Sequence, residues 1–429
     1  MIWQKNIKRN MKNKKVVKRS TLKIKNEVIK MKRWTEKEID YLMKHFAVKE
    51  GDYKVLAEKL NKTEGSIIAK SRRLGLPNVK INSQSQRNNL DLGDKLFKLL
   101  SHSKKEHTIE ELSDKFDVCV AKVKGAIYNL KRKNILVDVV DDKITLGRYV
   151  QPAENKIVIP LKIYDNRWIR FGLLSDTHLN SKYQRLEVLN AIYDICKKED
   201  LHHLFHSGNI IDGYGRFNRY DVLNAGTDEQ IRYCIENYPQ REGITTHFIT
   251  ADDHEGWIVQ REHINIGKSI QQEAKSNGRE DLNFLGHVEA DVLFKVGSKP
   301  TRLRLFHPGG GISYAMSYQP QKIVESMSGG EKPDILAVGH YHKLGAFDWR
   351  NVDVLLTGCV EDQTPFMRKK HIAAHIGFYI ITANIAPDGS INRIIPEKIK
   401  FYDKRYYTLN GWKRTPAEFE KPVNWFYKW

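Results

Sequence analysis

From residue 168 onward, short apolar runs recur along the chain, and each stops at a polar cluster. WIRFGLLSD, LHHLFHSGN, GITTHFITAD, TRLRLFHPG, PDILAVGHYH and VDVLLTGC all follow this pattern. Runs of this length, separated by helix-length segments, predict an α/β region whose strands deliver polar side chains at their carboxyl ends. The first 150 residues have a different rhythm. Between 32 and 77, Trp34, Ile39, Leu42, Tyr53, Leu56, Leu60, Ile67 and Ile68 recur at helical spacing. Thr35, three residues before Glu38, forms a capping box and predicts a helix through about Phe46. A second helix is expected from near Asp52 to Leu60, and a third from Thr63 until Gly75 stops it. Residues 78–90 are polar and read as a linker. Beyond it, Leu96, Leu99 and Leu100, then Ile109, Leu112 and Phe116, then Val123, Ile127 and Leu130 mark three more helices. ILVDVV and KITL, on either side of Asp141 and Asp142, predict a β-hairpin after them.

Charge separates the same regions. The 429-residue chain carries a formal +20. Residues 1–33 hold thirteen Lys/Arg against the single acid Glu27, and residues 34–150 add a further +6. The excess therefore sits in the first third, where a polyanion, most often nucleic acid and here expected to be DNA, is the natural partner. A solubilising tail is the other reading of residues 1–31. No run approaches the length of a membrane span, and four well-separated cysteines form no C-x-x-C pair, so a cytoplasmic protein without membrane partners is expected.

The third helix of residues 32–77 carries Lys70, Arg72 and Arg73, which suits a helix-turn-helix unit with a basic recognition helix. Trp34, with Tyr53 nineteen residues on, and the stretch TEGSIIAKSRRLGL resemble the Myb/SANT-like class of DNA-binding domains, although the third aromatic of that class is missing. Helix-helix-helix-hairpin over residues 91–150 resembles a winged helix, with Lys122, Lys124, Lys131 and Arg132 on or just after its third helix. Either unit could instead serve protein contact.

The strand ends carry the chemistry. In order they give Asp176-Thr177-His178, then Asn209 and Asp212, then Asp253-His254-Glu255, then His307, then His340-Tyr341-His342. Carboxylates beside imidazoles suit Mn²⁺, Fe or Zn²⁺, and paired ions of this kind clamp a phosphoryl group. One D-x-H or H-x-H pair is weak evidence, but five polar strand ends in this order are far more specific.

These residues resemble the signature of the calcineurin-like metallophosphoesterases: D-x-H, G-D-x-x-D, G-N-H-[DE], a lone His, and G-H-x-H. The resemblance covers roughly residues 168–385. It implies a β-sandwich flanked by helices in a domain spanning residues 155–403, with two divalent ions, manganese foremost, at the strand ends. Carried over, Asp176, His178 and His342 would hold one ion; His307 and His340, completed by Asn209 and Asp253, would hold the other. His254 takes the place of the family's catalytic histidine and Asp212 that of the acid orienting it. In that family a hydroxide activated by two metals attacks phosphorus in line. The chain departs from the pattern at two positions: Asn209 stands where the family has its bridging Asp, and Asp253 where it has a metal-binding Asn. The exchange conserves the number of carboxylates; Asn209 is expected to bind one ion only and Asp253 to bridge instead, the alternative being a weakened site that holds one metal.

The whole is thus read as multidomain, all-α and winged-helix units followed by an α/β sandwich. The expected function is DNA-tethered, metal-dependent phosphodiester cleavage. The alternatives are a DNA-binding regulator with an impaired or ligand-sensing phosphoesterase domain, and a phosphatase of nucleotides or proteins. Gly309, Gly310 and Gly311 either admit a phosphate to backbone N–H groups or make a turn before a helix near Tyr314. Residues 357–375, with Arg368, Lys369 and Lys370, read as a substrate-side loop, and the aromatic tail 404–429 as a segment docking on its own domain.

Overall fold

The computed structural model describes residues 34–46, 53–63, 66, 67, 70, 71, 74, 91–103, 105–150, 157–311 and 313–403. The basic tail, Arg72, Arg73, the 78–90 linker and the 404–429 tail lie outside the described residues. The chain divides into two compact units, Met1–Leu90 and Asp91–Trp429.

In the first unit, α1 (Glu36–Phe46) and α2 (Tyr53–Leu60) occupy the expected positions. The capping box closes both ways: Thr35 N–H donates to Glu38 Oε2 at 2.7 Å, and Glu38 N–H to Thr35 Oγ1 at 3.3 Å. Leu42, Leu56, Ala57 and Ile67 form a small core, with Trp34 against it. Lys62 and Lys70 lie over the Trp34 ring at 5.4 and 6.0 Å.

The second unit opens with α3 (Leu92–His102), β1 (His107–Thr108), α4 (Ile109–Phe116), α5 (Val120–Arg132), β2 (Val137–Val140) and β3 (Lys143–Leu146). Leu96, Leu112, Val123 and Ile127 meet in one core. Asp141 and Asp142 both have positive φ, 48° and 61°, the backbone of a tight two-residue hairpin. This segment is joined to the region that follows. Leu136 N–H donates to the His263 carbonyl at 2.7 Å, Asn265 N–H to Asn134 at 2.8 Å, and His263 Nδ1–H to Gly147 at 2.8 Å.

Next come β4 (Ile157–Val158), β5 (Ile163–Tyr164), β6 (Trp168–Leu174), α6 (Leu186–Lys198), β7 (His203–Ser207), α7 (Thr227–Asn237) and β8 (Thr245–Thr250). α8 (Glu255–Glu262), α9 (Ile266–Ser276), β9 (Leu282–His287), β10 (Glu289–Phe294), β11 (Thr301–Phe306), α10 (Tyr318–Ser326) and β12 (Ile335–Val338) follow. The last are β13 (Leu344–Trp349), β14 (Val352–Thr357), α11 (Pro365–Lys369), β15 (Gly377–Ile385) and β16 (Ile391–Lys400). Two mixed sheets result, ordered β16-β15-β6-β7-β8-β9, with β5 pairing β6, and β13-β14-β12-β11-β10-β4.

Strand alternation explains the layering. Ile169, Phe171 and Leu173 on β6 face Leu303 and Leu305 on β11 in the core between the sheets, with Phe205 and Phe294 filling it. Full burial of such side chains contributes roughly 1.5–3 kcal/mol each. Leu174, Phe248 and Ile270 join α6 and α9 in a second core on the outer face of the larger sheet. Cys196 and Cys234, on α6 and α7, are buried within it. Val324 on α10 packs over Val338 and Val354 on the smaller sheet. The helix expected near Tyr314 begins only at Tyr318, after the glycines. Among the described residues no helix is long and apolar enough to cross a membrane.

Candidate metal centre

β6, β7 and β8 run parallel in one sheet, β11 and β12 in the other. The carboxyl ends of all five converge, and they carry every one of the nine candidate side chains. The turns after β6 and β7 stay laced together: Asp176 N–H donates to Gly208, His178 N–H to Asn209, and Asp212 N–H to Leu179, at 2.9–3.0 Å. Six of the nine residues (Asp176, His178, Asn209, His254, His340 and His342) have positive φ, between 41° and 73°. Such backbone costs on the order of 1 kcal/mol per residue and persists where the surroundings impose it, most often at functional sites. Gly208, at φ 93°, is required here, because a Cβ would lie 2.4 Å from His307 Nδ1.

Among the described residues three groups have ligand-type atoms mutually within 4.8 Å: a first, Asp176–His178–His342, a second, Asp253–His307–His340, and a third, His178–Asp212–His254, that shares His178 with the first. Each imidazole but one is locked by its other nitrogen. His178 Nδ1–H donates to Asp212 Oδ1 at 3.0 Å, His307 Nδ1–H to the Ser207 carbonyl at 2.6 Å, and His340 Nε2–H to the Gly310 carbonyl at 2.6 Å. The opposite nitrogen faces the carboxylates, where a cation can take the place of its proton, the arrangement that orients metal-binding histidines. His342 Nδ1 is buried without a hydrogen-bond partner. His178 Nε2 and His342 Nε2 face each other at 3.2 Å, within 3.6 and 3.4 Å of Asp176 Oδ1. Two imidazole nitrogens and a carboxylate oxygen converging in a buried pocket fit a cation, and the mixed N/O set suits a borderline divalent ion.

Asp176 reaches both groups, because its Oδ1 also lies 3.9 Å from His307 Nε2. Its Oδ2 is held by Ser175 Oγ at 2.5 Å and His340 N–H at 2.9 Å. Asp253 faces only the second group, with Oδ1 3.4 Å from His307 Nε2 and Oδ2 3.0 Å from His340 Nδ1. Of the two carboxylates, Asp176 is thus the one whose oxygen lies within 4 Å of histidines of both groups. Asn209 Nδ2 lies 3.3 Å from Asp176 Oδ1; with the amide turned over, its nitrogen donates to Asp253 Oδ1 (3.2 Å) and Glu255 Oε2 (3.3 Å) and its oxygen accepts from His307 Nε2 (3.1 Å), which satisfies both ends.

Burial disfavours ionised Asp176, yet His307 and His342 hold it well below the usual carboxylate range. Burial likewise opposes protonation of His178, but Glu361, Asp176 and Asp212 raise it well above its ordinary value. The negative field that holds a proton on these nitrogens also attracts a metal cation, and the two compete.

His254 Nδ1 lies 2.8 Å from the Asp212 carbonyl and 3.1 Å from Asp212 Oδ1. Asp212 Oδ1 thus lies within 3.1 Å of two histidines, His178 and His254, and Asn218 Nδ2–H donates to its other oxygen at 3.0 Å. Burial and the neighbouring His178 oppose the charge on His254, while Asp212 and Asp253 raise it above its ordinary value.

Three residues had no role assigned from sequence: Asn218, Glu255 and Glu361. Glu255 is fully buried and accepts from the backbone N–H groups of Asn209 (3.1 Å), Ile210 (2.5 Å), Ile211 (3.3 Å) and Ala251 (2.8 Å), so it fixes the β7 turn. Burial pushes its carboxyl up to about 7 against those donors. Glu361, also buried, accepts from Ser181 Oγ at 2.6 Å and lies 4.0 Å from His178 Nε2; burial pushes it up to about 7. Its position just past an apolar strand run was the only sequence signal. Of the basic candidates, Lys122, Lys124, Lys131 and Arg132 are exposed on α5, and Lys70 is half-buried in the first unit. Gly310 and Gly311 line the cavity in front of the centre, as does Lys370.

No family model and no curated protein matches the chain. Among solved structures it is similar to an archaeal phosphodiesterase, 12% identical over 53% of this chain and 99% of that one, with a TM-score of 0.29. It is similar to a predicted phosphoesterase from Streptococcus pneumoniae, 12% identical over 55% and 98% of the two chains, TM-score 0.25. It is also similar to wild-type Vps29 from Entamoeba histolytica complexed with Zn²⁺, 11% identical over 55% and 100%, TM-score 0.26.

Proposed function

We propose that the chain is a metal-dependent phosphoesterase that cleaves phosphodiester bonds of nucleic acid, with residues 1–150 bringing it to DNA. The observation that carries this reading is the pair of oriented His/carboxylate groups joined through Asp176, with His254 beside them. Two divalent ions bound there, Mn²⁺ foremost, would lower the pKa of a water and neutralise charge on the phosphoryl oxygens. The protein groups do the rest. Asp212 keeps the proton of His254 on Nδ1 and favours the imidazolium, so Nε2 can donate to a leaving oxygen. Glu255 holds the turn that carries Asn209, and the locked tautomers spare the ligands any reorganisation.

Full-length protein dialysed against chelator and reloaded with Mn²⁺ should hydrolyse bis(p-nitrophenyl) phosphate and cut labelled DNA. Absence of turnover with Mn²⁺, Fe²⁺ or Zn²⁺ would overturn the enzyme reading and leave that of a DNA-binding regulator.

A further inference from the structure

The cavity in front of the centre has a volume of about 570 Å³, and one of its walls is apolar. Three aromatic rings from three separate elements build that wall. Phe217 stands on the loop after β7, Trp257 on the first turn of α8, and Phe366 on α11. Phe217 lies 6.3 Å from Trp257 and 5.9 Å from Phe366 between ring centroids. Trp257 stacks on His254 at 4.6 Å and 29°, so the wall runs directly into the proposed acid. Trp257 also lies so close to the loop backbone that a Cβ on Gly215 would fall 2.3 Å from its ring. Phe217 and Phe366 nevertheless remain 64% and 44% exposed, far more than folding alone requires of two phenylalanines in mutual contact. Lys370 lines the same cavity, and Arg368 is exposed on the same short helix.

We infer that Phe217 and Phe366 form a ledge on which a nucleobase of the substrate stacks while its phosphoester lies at the metal centre. This deepens the proposed function and rests on it. The occupant follows from three features together. The ledge is continuous with a site built for phosphate. One cation, Lys370, lines the cavity beside it. The first third of the chain, with its large positive excess, calls for a polyanion, and a nucleic acid strand is a polyanion that also carries planar rings. A base paired and stacked inside a duplex cannot reach such a ledge, so the fitting substrate is a single strand, a strand end or a free nucleotide.

The test isolates the ring from the charge. Binding of a fluorescent dT tetramer to metal-loaded full-length protein is compared with that of a tetramer of abasic units bearing the same phosphates. The base-bearing strand should bind about 5- to 150-fold tighter, and Phe217→Ala or Phe366→Ala should erase most of that difference. Phe217→Trp should restore it where Phe217→Leu does not, which separates stacking from mere apolar filling. Thymidine monophosphate as competitor distinguishes a free nucleotide from a strand: competition at equal concentration favours the former, failure to compete the latter. Equal binding of both tetramers, a base preference untouched by both alanine variants, or a change of oligomeric state in Phe217→Ala instead of a change in base preference would each overturn the ledge. Bis(p-nitrophenyl) phosphate hydrolysis and metal content, measured alongside, report on the proposed function separately. Hydrolysis without base preference removes the ledge alone, and base preference without hydrolysis by any metal removes the enzyme reading alone.

Discussion

At the strand ends, buried side chains sit on positive-φ backbone, and four of the five imidazoles are oriented by a hydrogen bond to Asp212, Ser207 or Gly310. On α5, Lys122, Lys124, Lys131 and Arg132 stand exposed on regular helix. Both sets are candidate phosphate binders, and they show two physical routes to that end. Metal chemistry needs donor atoms fixed to within fractions of an ångström, so the fold accepts strained backbone and buried charge to place them. Counterion release needs only net charge near a strand, so nothing has to hold those lysines. The difference predicts steep, position-specific losses in the first region and shallow, interchangeable ones in the second.

The largest effect is expected from Asp176→Asn. Because Oδ1 reaches histidines of both groups, this change should remove both ions and lower phosphodiester hydrolysis by at least about three orders of magnitude, read by elemental analysis and initial rates. Retention of two ions would show that Asp176 does not join the groups. Asp253→Asn should act on one group alone and reduce the metal content from two ions to one. Asn209→Asp adds a carboxylate beside His307 and should tighten the second ion without being needed for turnover. Activity appearing only in the Asn209→Asp/Asp253→Asn double variant would mean that the natural site is degenerate. The affinity also has a pH sense. Burial is outweighed by Asp176 and Asp253, and His307 is pushed up to about 9, so at neutral pH a cation must displace its proton. Metal affinity should therefore rise with pH and level off near that value, by about tenfold per unit for this one proton.

Next in size is Glu255→Gln. The amide would turn an N–H toward backbone donors that now share two carboxylate oxygens, leaving buried N–H groups unpaired. A loss of about 3 kcal/mol in unfolding free energy is expected, with metal content falling because Asn209 rides on the same turn. Chemical denaturation measures the first, elemental analysis the second. A variant of unchanged stability would mean that the lacing between the β6 and β7 turns holds the loop alone.

Much of this contrast was legible from sequence. The six apolar runs ending in polar clusters are β6, β7, β8, β11, β12 and β14. Their parallel order brings the nine residues together, because a strand's last residue and the turn after it are fixed by a local signal. Other elements gave weaker signals. β16 contains Pro396 and alternates only loosely, which an edge strand tolerates. β9 and β10 are separated by Val288 alone, at φ 66°, with no Gly or Asn to announce the turn. Glu255 and Glu361 could be seen in the sequence without a role, since their partners are backbone amides and a serine brought near by folding. The reach of Asp176 to histidines of both groups was equally invisible, because it depends on distances between strands of two different sheets. On α5 the sequence showed the charge, and charge is all that this kind of binding uses.

The smallest expected effects lie there, and their sameness is the point. Lys122→Gln, Lys124→Gln, Lys131→Gln and Arg132→Gln, made one at a time, should each weaken DNA binding by severalfold at most. Each should reduce the slope of log affinity against log salt by about 0.9, the share of one neutralised phosphate on duplex DNA. The four should add, because exposed side chains that share no partner do not couple. Fluorescence anisotropy with labelled duplex from 50 to 300 mM salt reads both quantities, and circular dichroism controls for the helix. If one of the four carries a loss of a hundredfold or more while the others carry none, then α5 contains a fixed contact of the strand-end kind. If none changes the slope, α5 does not meet DNA, and the positive charge that does lies elsewhere in the first 150 residues.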